Sequence, residues 1–119
     1  MREFSTGATR DSDTQKLDYE GFLSPLALRA YAQYLHKHRT QPDGTQRASD
    51  NWQKGIPRSV YMKSGFRHLI TWWENHREVD TAETIEDSIC GVIFNAFGYL
   101  HELEKENEKE KEKETAARP

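Results

Sequence analysis

Acidic side chains gather around residue 80, between the two most apolar segments of the chain. Glu74 and Glu78 lie one helical turn apart, and Glu83, Glu86 and Asp87 follow closely. Hard oxygen ligands of this kind suit Mg²⁺ or Mn²⁺, and a bound Mg²⁺ could polarise phosphates and activate water. Acidic residues also stabilise a helix N-terminus without any metal. The pattern leaves two interpretations open: helix capping, or a Mg²⁺ site formed by Glu74, Glu78, Glu83 and Asp87.

A second pattern consists of small, polar and aromatic residues that recur at helical spacing. Glycine inside a helix costs about 1 kcal/mol relative to alanine, so the glycines in this pattern need a physical reason. One reason is close packing of helices, within the chain or between subunits. The other is a ligand pocket, in which glycines make room and polar or aromatic side chains contact the ligand. The pattern comprises Tyr61, Gly65, His68 and Trp72 in one segment and Ser88, Gly91, Asn95 and Gly98 in the next.

Basic and aromatic residues elsewhere could bind an anion that carries a ring. Trp52 lies in a polar stretch, where a large aromatic side chain usually anchors the loop or stacks on a ligand. Residues 36–39 form a basic cluster that either balances the negative end of a helix or clamps a phosphate together with Lys54 and Arg58. Arg67 either points to solvent or contacts an anion.

The elements that must position these residues are predicted to be helices. Ser24 followed by Pro25 is a strong helix start, with a serine cap and proline at the first helical position, and predicts a helix to about residue 39. The segment Gln41-Pro42-Asp43-Gly44 is typical of a turn. Residues 40–56 are therefore predicted to form an irregular loop.

Two further helices are predicted to form an antiparallel hairpin over residues 57–100. The first covers residues 57–77, and the second begins near Asp80, which has capping-box spacing to Glu83. The link between them is short, which favours antiparallel neighbours. Each helix carries an apolar stripe that we expect to form the core: Met62, Phe66, Leu69, Ile70 and Trp73, then Ile85, Ile89, Val92, Ile93, Ala96, Leu100 and Leu103.

The chain is therefore predicted to be an all-α protein with three main helices and a central antiparallel hairpin. Residues 1–17 are predicted to form a flexible arm, 18–103 a helical nucleotide-binding domain, and 104–119 a charged extension of the last helix, supported by opposite charges at i,i+3. A folded part of this size is only marginally stable alone. We therefore expect a homo-oligomer.

Composition excludes several classes of protein. The net charge of −3 gives no general attraction to nucleic acid polymers. No apolar run is long enough to span a membrane, and the N-terminal residues lack the apolar core of a secretory signal. A single cysteine, Cys90, rules out an internal disulfide and cysteine-based zinc sites. These features predict a cytoplasmic protein.

Several segments together resemble the N-terminal domain family of the bacteriophage dATP/dGTP diphosphohydrolases. They are Lys16-Leu17-Asp18-Tyr19, Asn51-Trp52-Gln53-Lys54-Gly55, Phe66-Arg67-His68-Leu69 and Trp72-Trp73-Glu74, with Asn95 late in the last helix. The resemblance implies an all-α NTP-pyrophosphatase-like fold, phage origin and a purine nucleotide ligand. It assigns the site to Trp52, Lys54, Arg67, His68, Glu74 and Asn95. Family members commonly carry histidines at the positions of Ser88 and Gly91, so the resemblance implies binding more than catalysis.

Three functions remain open at this point. The first is binding of a purine nucleotide, or of a nucleotide-derived signal of host defence, which the protein would sequester without turnover and without a cofactor. The ligand would lie between helices or subunits, against Trp52, Lys54, Arg58, Tyr61, Arg67, His68, Trp72 and Asn95. The second is a Mg²⁺-dependent dATP/dGTP pyrophosphohydrolase. The third is a structural module that forms helical oligomers.

Overall fold

The computed structural model describes residues 2–118; Met1 and Pro119, the outermost residues of the predicted arm and extension, lie outside the described residues. Nearly all regular structure is helical, as predicted. The elements are strands β1 (Arg2–Glu3) and β2 (Thr9–Arg10), helices α1 (Tyr19–Phe22) and α2 (Pro25–Lys37), a 3₁₀ helix (Asn51–Lys54), and helices α3 (Arg58–His76) and α4 (Ile85–Ala117).

The N-terminal segment contains a small antiparallel hairpin in which Arg2 lies opposite Arg10. Gly7 permits its turn, because the φ of 89° favours glycine. Arg2 also forms an ion pair with Asp13 at 2.9 Å. The predicted arm therefore contains local structure that its Gly- and Ser-rich composition did not indicate.

Helix α2 begins as its sequence predicts. The Ser24 hydroxyl accepts a hydrogen bond from the Ala27 amide, and Pro25 occupies the first turn. After the helix ends, the chain forms a tight loop in which Thr40 pairs with Gln46 in an antiparallel bridge. This loop brings the chain back onto itself immediately after α2.

Helices α3 and α4 pack closely as a hairpin, which confirms the central prediction. The start of α4 differs from the prediction. Thr84, not Asp80, caps the helix, and its hydroxyl accepts from the Asp87 amide at 3.1 Å. The preceding link is held by Thr81, whose single hydroxyl proton is shared between the Glu83 carbonyl at 2.7 Å and Asn75 Oδ1 at 2.9 Å. These bonds keep Asp80 and Glu83 outside the helix.

The small-residue stripes of α3 and α4 face each other inside the hairpin. The ring of Tyr61 fills the space beside Gly98, and the ring of His68 fills the space beside Gly91. Asn95 is buried, and its side-chain amide donates to the Gly91 carbonyl at 2.7 Å. The glycines therefore allow close helix packing within one chain. A depression of about 360 Å³ between α3 and α4 is also lined by Tyr61, Gly65 and Asn95, so the pocket interpretation of this pattern stays a prediction.

The large apolar stripe of α3, predicted to be the core face, lies on the surface. A two-helix hairpin covers only one side of each helix, and the glycine stripe occupies that side. Among residues 2–118, the buried apolar side chains are Tyr61 and Cys90. The exposed stripe comprises Met62 (50%), Phe66 (59%), Leu69 (42%), Ile70 (47%) and Trp73 (55%).

Helix α2 packs on the opposite side of α4 from this stripe. Tyr31 stacks on Phe97 with ring centroids 6.2 Å apart. The Lys37 ammonium forms an ion pair with Asp87 at 2.7 Å. These contacts place the end of α2 beside the first turn of α4 and the middle of α2 beside Phe97.

The charged extension continues α4 to Ala117, as predicted. Glu108 and Lys111, and Glu110 and Lys113, approach to 3.9 and 3.7 Å at the expected i,i+3 spacing. Across residues 2–118, no helix has the length and apolar character needed to cross a membrane.

Candidate functional site

A cleft of about 450 Å³ opens where four elements meet: the end of α2, the loop after it, the 3₁₀ helix and the middle of α4. Ligand sites commonly have volumes of about 300–1,000 Å³ and combine apolar walls with a few polar groups. This cleft has both kinds of lining. Its polar and aromatic lining residues are Tyr34, His38, Arg39, Arg47, Ser49, Asn51, Trp52 and Phe94.

The basic end of the cleft is built by the tight loop after α2. The Arg47 amide donates to the Arg39 carbonyl at 2.8 Å, and Arg39 Nε donates to the Arg47 carbonyl at 2.8 Å. The two arginines are therefore held side by side. Among residues 2–118, neither guanidinium has a carboxylate within ion-pair distance. Guanidinium groups of this kind suit the oxygens of a phosphate.

The aromatic wall of the cleft is formed by Trp52 and Tyr34. His101 packs edge-on against Trp52 with ring centroids 4.6 Å apart, which fixes the orientation of the indole. Tyr34 packs against His38 at 4.3 Å. Flat side chains held in this way can stack on a heterocyclic ring.

A smaller apolar cavity of about 280 Å³ adjoins the cleft. Leu35, Trp52 and Phe94 line both spaces, and Tyr31 and Gly98 lie at the far side of the smaller one. Together they form a continuous depression with a basic end and an apolar end. Such polarity matches a molecule that carries phosphates on one side and a ring on the other.

The tyrosines of this region are neutral over the physiological range. Burial, with smaller contributions from Glu83 and Asp87, raises the pKa of Tyr34 to about 12. Burial likewise raises the pKa of Tyr31 to about 12. Both hydroxyls therefore act as neutral hydrogen-bonding groups, and neither places a negative charge near Arg39 and Arg47.

The family model for "dATP/dGTP diphosphohydrolase, N-terminal" matches residues 6–113, which is nearly the whole chain. The chain belongs to this family. No curated protein and no solved structure matches it. The match agrees with the resemblance seen in the sequence and extends from the N-terminal hairpin into the charged extension of α4.

For a dATP/dGTP diphosphohydrolase domain, a Mg²⁺ site is the first feature to test against the fold. Within residues 2–118, no three His, Cys, Asp or Glu side chains lie close enough together to hold a metal ion. Asp87 pairs with Lys37 at 2.7 Å, and Glu83 contacts His68 Nδ1 at 3.2 Å. Glu78 is exposed in a left-handed conformation, with a φ of 61°. The four acidic residues predicted as metal ligands are therefore not gathered into one site within this chain.

The predicted ligand-binding residues are distributed over three regions of this diphosphohydrolase-family domain. Trp52 lines the cleft. Tyr61, His68 and Asn95 lie inside the hairpin, where they fill the space beside the glycines. Trp72 lines a separate apolar cavity on α3.

The three predicted basic ligands lie outside the cleft lining. Arg58 forms an ion pair with Glu106 at 3.1 Å and lies over the ring of Tyr99. Lys54 and Arg67 are exposed, at the end of the 3₁₀ helix and on α3. Of the predicted phosphate clamp, which joined residues 36–39 with Lys54 and Arg58, only His38 and Arg39 line the cleft with Trp52.

Sequence reasoning missed Arg47 and Tyr34 as candidate site residues. The signal for Arg47 was present in the turn at residues 41–44. A turn there pairs Thr40 with Gln46 and therefore sets Arg39 against Arg47. Tyr34 carried no comparable signal, because its position beside the cleft depends on how α2 packs against α4.

Proposed function

We propose that this domain binds a purine deoxynucleoside triphosphate in the cleft and the adjoining cavity. The phosphates would lie against Arg39 and Arg47, and the base would enter the apolar end beside Trp52. This assignment is supported by one observation above all. Two arginines that have no carboxylate partner in the described part of the chain are held at one end of a depression whose other end is aromatic. The family match supports dATP and dGTP as the first ligands to test.

Within this proposal the nucleotide is held and not turned over. The support is that two of the acidic side chains are already paired within the chain, Asp87 with Lys37 and Glu83 with His68. A protein of this kind encoded by a phage would act in the cytoplasm of the host. There it would withdraw a purine nucleotide, or a nucleotide-derived signal of host defence, from the free pool.

Hydrolysis is the second candidate, and the family description itself favours it. In that case water would be consumed, and the products would be a deoxynucleoside monophosphate and pyrophosphate. The acidic residues needed for a metal would then have to come together in an arrangement that the single chain does not form.

The decisive experiment measures binding and turnover together. The full-length protein is incubated with dATP, dGTP, dCTP or dTTP, with Mg²⁺ or with EDTA, and bound and released species are identified by mass spectrometry. We expect intact purine nucleotide to be recovered after denaturation under both conditions. Release of pyrophosphate that depends on Mg²⁺ would contradict sequestration and support the hydrolase function. If the protein binds none of the four nucleotides, the remaining candidate is a structural module that forms helical oligomers.

Matched arginine variants locate the site. Arg39→Ala and Arg47→Ala should each weaken binding about ten- to hundredfold, because each removes charge-assisted hydrogen bonds to phosphate. Arg58→Ala and Arg67→Ala remove the same charge outside the cleft and should leave the affinity unchanged. The opposite result, with binding lost only in the second pair, would place the site elsewhere and contradict the proposal.

A further inference from the structure

The smaller cavity of about 280 Å³ beside the cleft has walls that are mostly apolar. Within residues 2–118, no Asp, Glu, Lys or Arg side chain lines it. Its polar groups belong to Tyr31 of α2, His101 of α4 and the indole of Trp52. A mostly apolar site takes its specificity from the few polar groups in its walls. These three side chains are therefore the ones that can distinguish one ring from another.

Tyr31 and His101 are held in place by aromatic packing. Tyr31 stacks on Phe97 with ring centroids 6.2 Å apart and an angle of 21° between the planes. His101 packs edge-on against Trp52 at 4.6 Å. Among residues 2–118, neither the Tyr31 hydroxyl nor the His101 ring forms a hydrogen bond with another protein group. Both side chains are thus oriented by their neighbours and keep their hydrogen-bonding capacity for a ligand.

The two polar side chains lie one helical turn apart along the wall that α4 forms. Phe97 and His101 are four residues apart on α4 and therefore lie on the same face of the helix, about 6 Å apart along its axis. Tyr31 packs on the first of these two positions, and His101 occupies the second. A fused two-ring base can span a separation of this size and contact both groups with its edge.

We propose that Tyr31 and His101 contact the edge of the base and make the site selective for adenine over guanine. The inference rests on the proposed function, in which the base occupies this cavity. A tyrosine oxygen and one nitrogen of a neutral imidazole can each accept a hydrogen bond, whereas the indole N–H of Trp52 only donates. Among the described residues, the lining side chains therefore provide two acceptors, one on Tyr31 and one on His101.

The number of acceptors distinguishes the two purines. Adenine has two N–H hydrogens on its edges, both on the exocyclic amine, and they match the acceptors of Tyr31 and His101. Guanine has a ring N–H in addition to the two hydrogens of its amine, so one N–H is left buried without a partner. An unpaired polar group lowers affinity, and more so between apolar walls of low dielectric. We therefore expect dATP to bind at least about tenfold more tightly than dGTP.

Calorimetric titration of the full-length protein with four nucleotides measures this selectivity without any substitution. The nucleotides are dATP, dGTP, dITP and the triphosphate of purine deoxyriboside, which lacks the amine of adenine. dITP lacks the amine of guanine and keeps only the ring N–H, so it should bind about tenfold more tightly than dGTP. The purine analogue should bind about tenfold more weakly than dATP, because it loses the hydrogen bonds of the amine.

Two substitutions then identify the side chains that contact the amine. Tyr31→Phe keeps the ring on Phe97 and removes the hydroxyl, and His101→Phe keeps an aromatic ring against Trp52 and removes both nitrogens. In at least one of these variants, dATP should lose its advantage over the purine analogue, because a hydrogen bond disappears when either partner is removed. A change that only disturbed the fold would weaken both nucleotides equally and leave their ratio unchanged.

Matched controls make the same chemical changes elsewhere in the hairpin. Tyr99 lines the depression between α3 and α4, and His76 lines a depression on α3. Neither side chain lines the cleft or the smaller cavity. Tyr99→Phe and His76→Phe should therefore leave both the affinity for dATP and its advantage over the purine analogue unchanged.

The outcomes separate this inference from the proposed function. Equal affinity for dATP and dGTP, with both weakened by Arg39→Ala, would overturn the selectivity and leave the proposed function standing. An advantage of dATP over the purine analogue that persists in both Tyr31→Phe and His101→Phe would overturn the assignment of these two side chains. If none of the nucleotides binds, the proposed function and this inference fail together.

Discussion

Substituting Gly98 by alanine tests the packing on which the whole hairpin depends. A Cβ at this position would overlap carbons Cε1 and Cζ of the Tyr61 ring. Tyr61 is only 2% exposed and is the most enclosed large side chain of the hairpin. Its ring therefore cannot rotate into solvent. To accommodate the new Cβ, the ring must shift within the packed hairpin or the two helices must move apart.

Two opposing effects determine how much Gly98→Ala changes the free energy of unfolding. Alanine stabilises a helix interior by about 1 kcal/mol relative to glycine. Overpacking typically costs 1–3 kcal/mol and occasionally more, and a rigid ring with no free space lies at the upper end. We therefore expect Gly98→Ala to lower the free energy of unfolding by about 2 kcal/mol, which corresponds to a drop in Tm of roughly 8 °C.

The other two glycines provide a graded comparison in the same assay. A Cβ at Gly91 would lie 2.5 Å from Cγ of His68, whose side chain is 22% exposed and can partly yield. At Gly65 the Cβ would lie 3.3 Å from Asn95 Cβ. In urea unfolding followed by circular dichroism, we therefore expect Gly98→Ala to be the least stable variant. Gly91→Ala should be intermediate, and Gly65→Ala should be close to wild type.

If Gly98→Ala is as stable as the wild type, the Tyr61 ring does not occupy the space beside Gly98, and the register of α3 on α4 is wrong. A double-mutant cycle provides the internal check. In a Tyr61→Ala background the overlap is gone, so Gly98→Ala should change sign and stabilise the protein by up to about 1 kcal/mol.

Two further predictions concern other properties of the buried and half-buried tyrosines. The Tyr61 hydroxyl is buried without a hydrogen-bond partner among residues 2–118, so Tyr61→Phe should be neutral or stabilise the fold by up to about 1 kcal/mol in urea unfolding. Tyr31 and Tyr34 have pKa values of about 12 in the fold against 10.0 as the ordinary value. Because the folded pKa is raised, their contribution is fully present below pH 10 and is lost as the pH rises towards 12. Unfolding measured across that window should show declining stability, and the paired substitution of both by phenylalanine should flatten the decline; an equal decline in that variant would contradict the assignment.

Features that depend on local chemistry could be predicted from the sequence. Ser24 and Pro25 start α2 because a hydroxyl cap and a fixed φ act within one turn. The hairpin of α3 and α4 was predictable because two long helical patterns joined by a short link have few other arrangements. The family was also visible, because its motifs are short and contiguous in sequence.

The tertiary structure alone decided which stripe of α3 is buried. Both stripes have helical spacing, so periodicity cannot rank them. Glycines at 65, 91 and 98 let the two backbones approach until Tyr61 and His68 fill the gaps. The larger apolar side chains are then directed outward. A rule that buries the most apolar stripe fails here because a two-helix hairpin can bury only one.

The candidate site shows the same division between local and long-range information. Trp52 could be predicted as a candidate site residue because it is a large aromatic side chain in a polar stretch of sequence. Arg39 and Arg47 became neighbours only through the loop that pairs Thr40 with Gln46. Asp87, predicted as a metal ligand, instead pairs with Lys37, fifty positions earlier in the chain. Charged side chains take the partners that folding brings within reach, and spacing along the chain does not specify those partners.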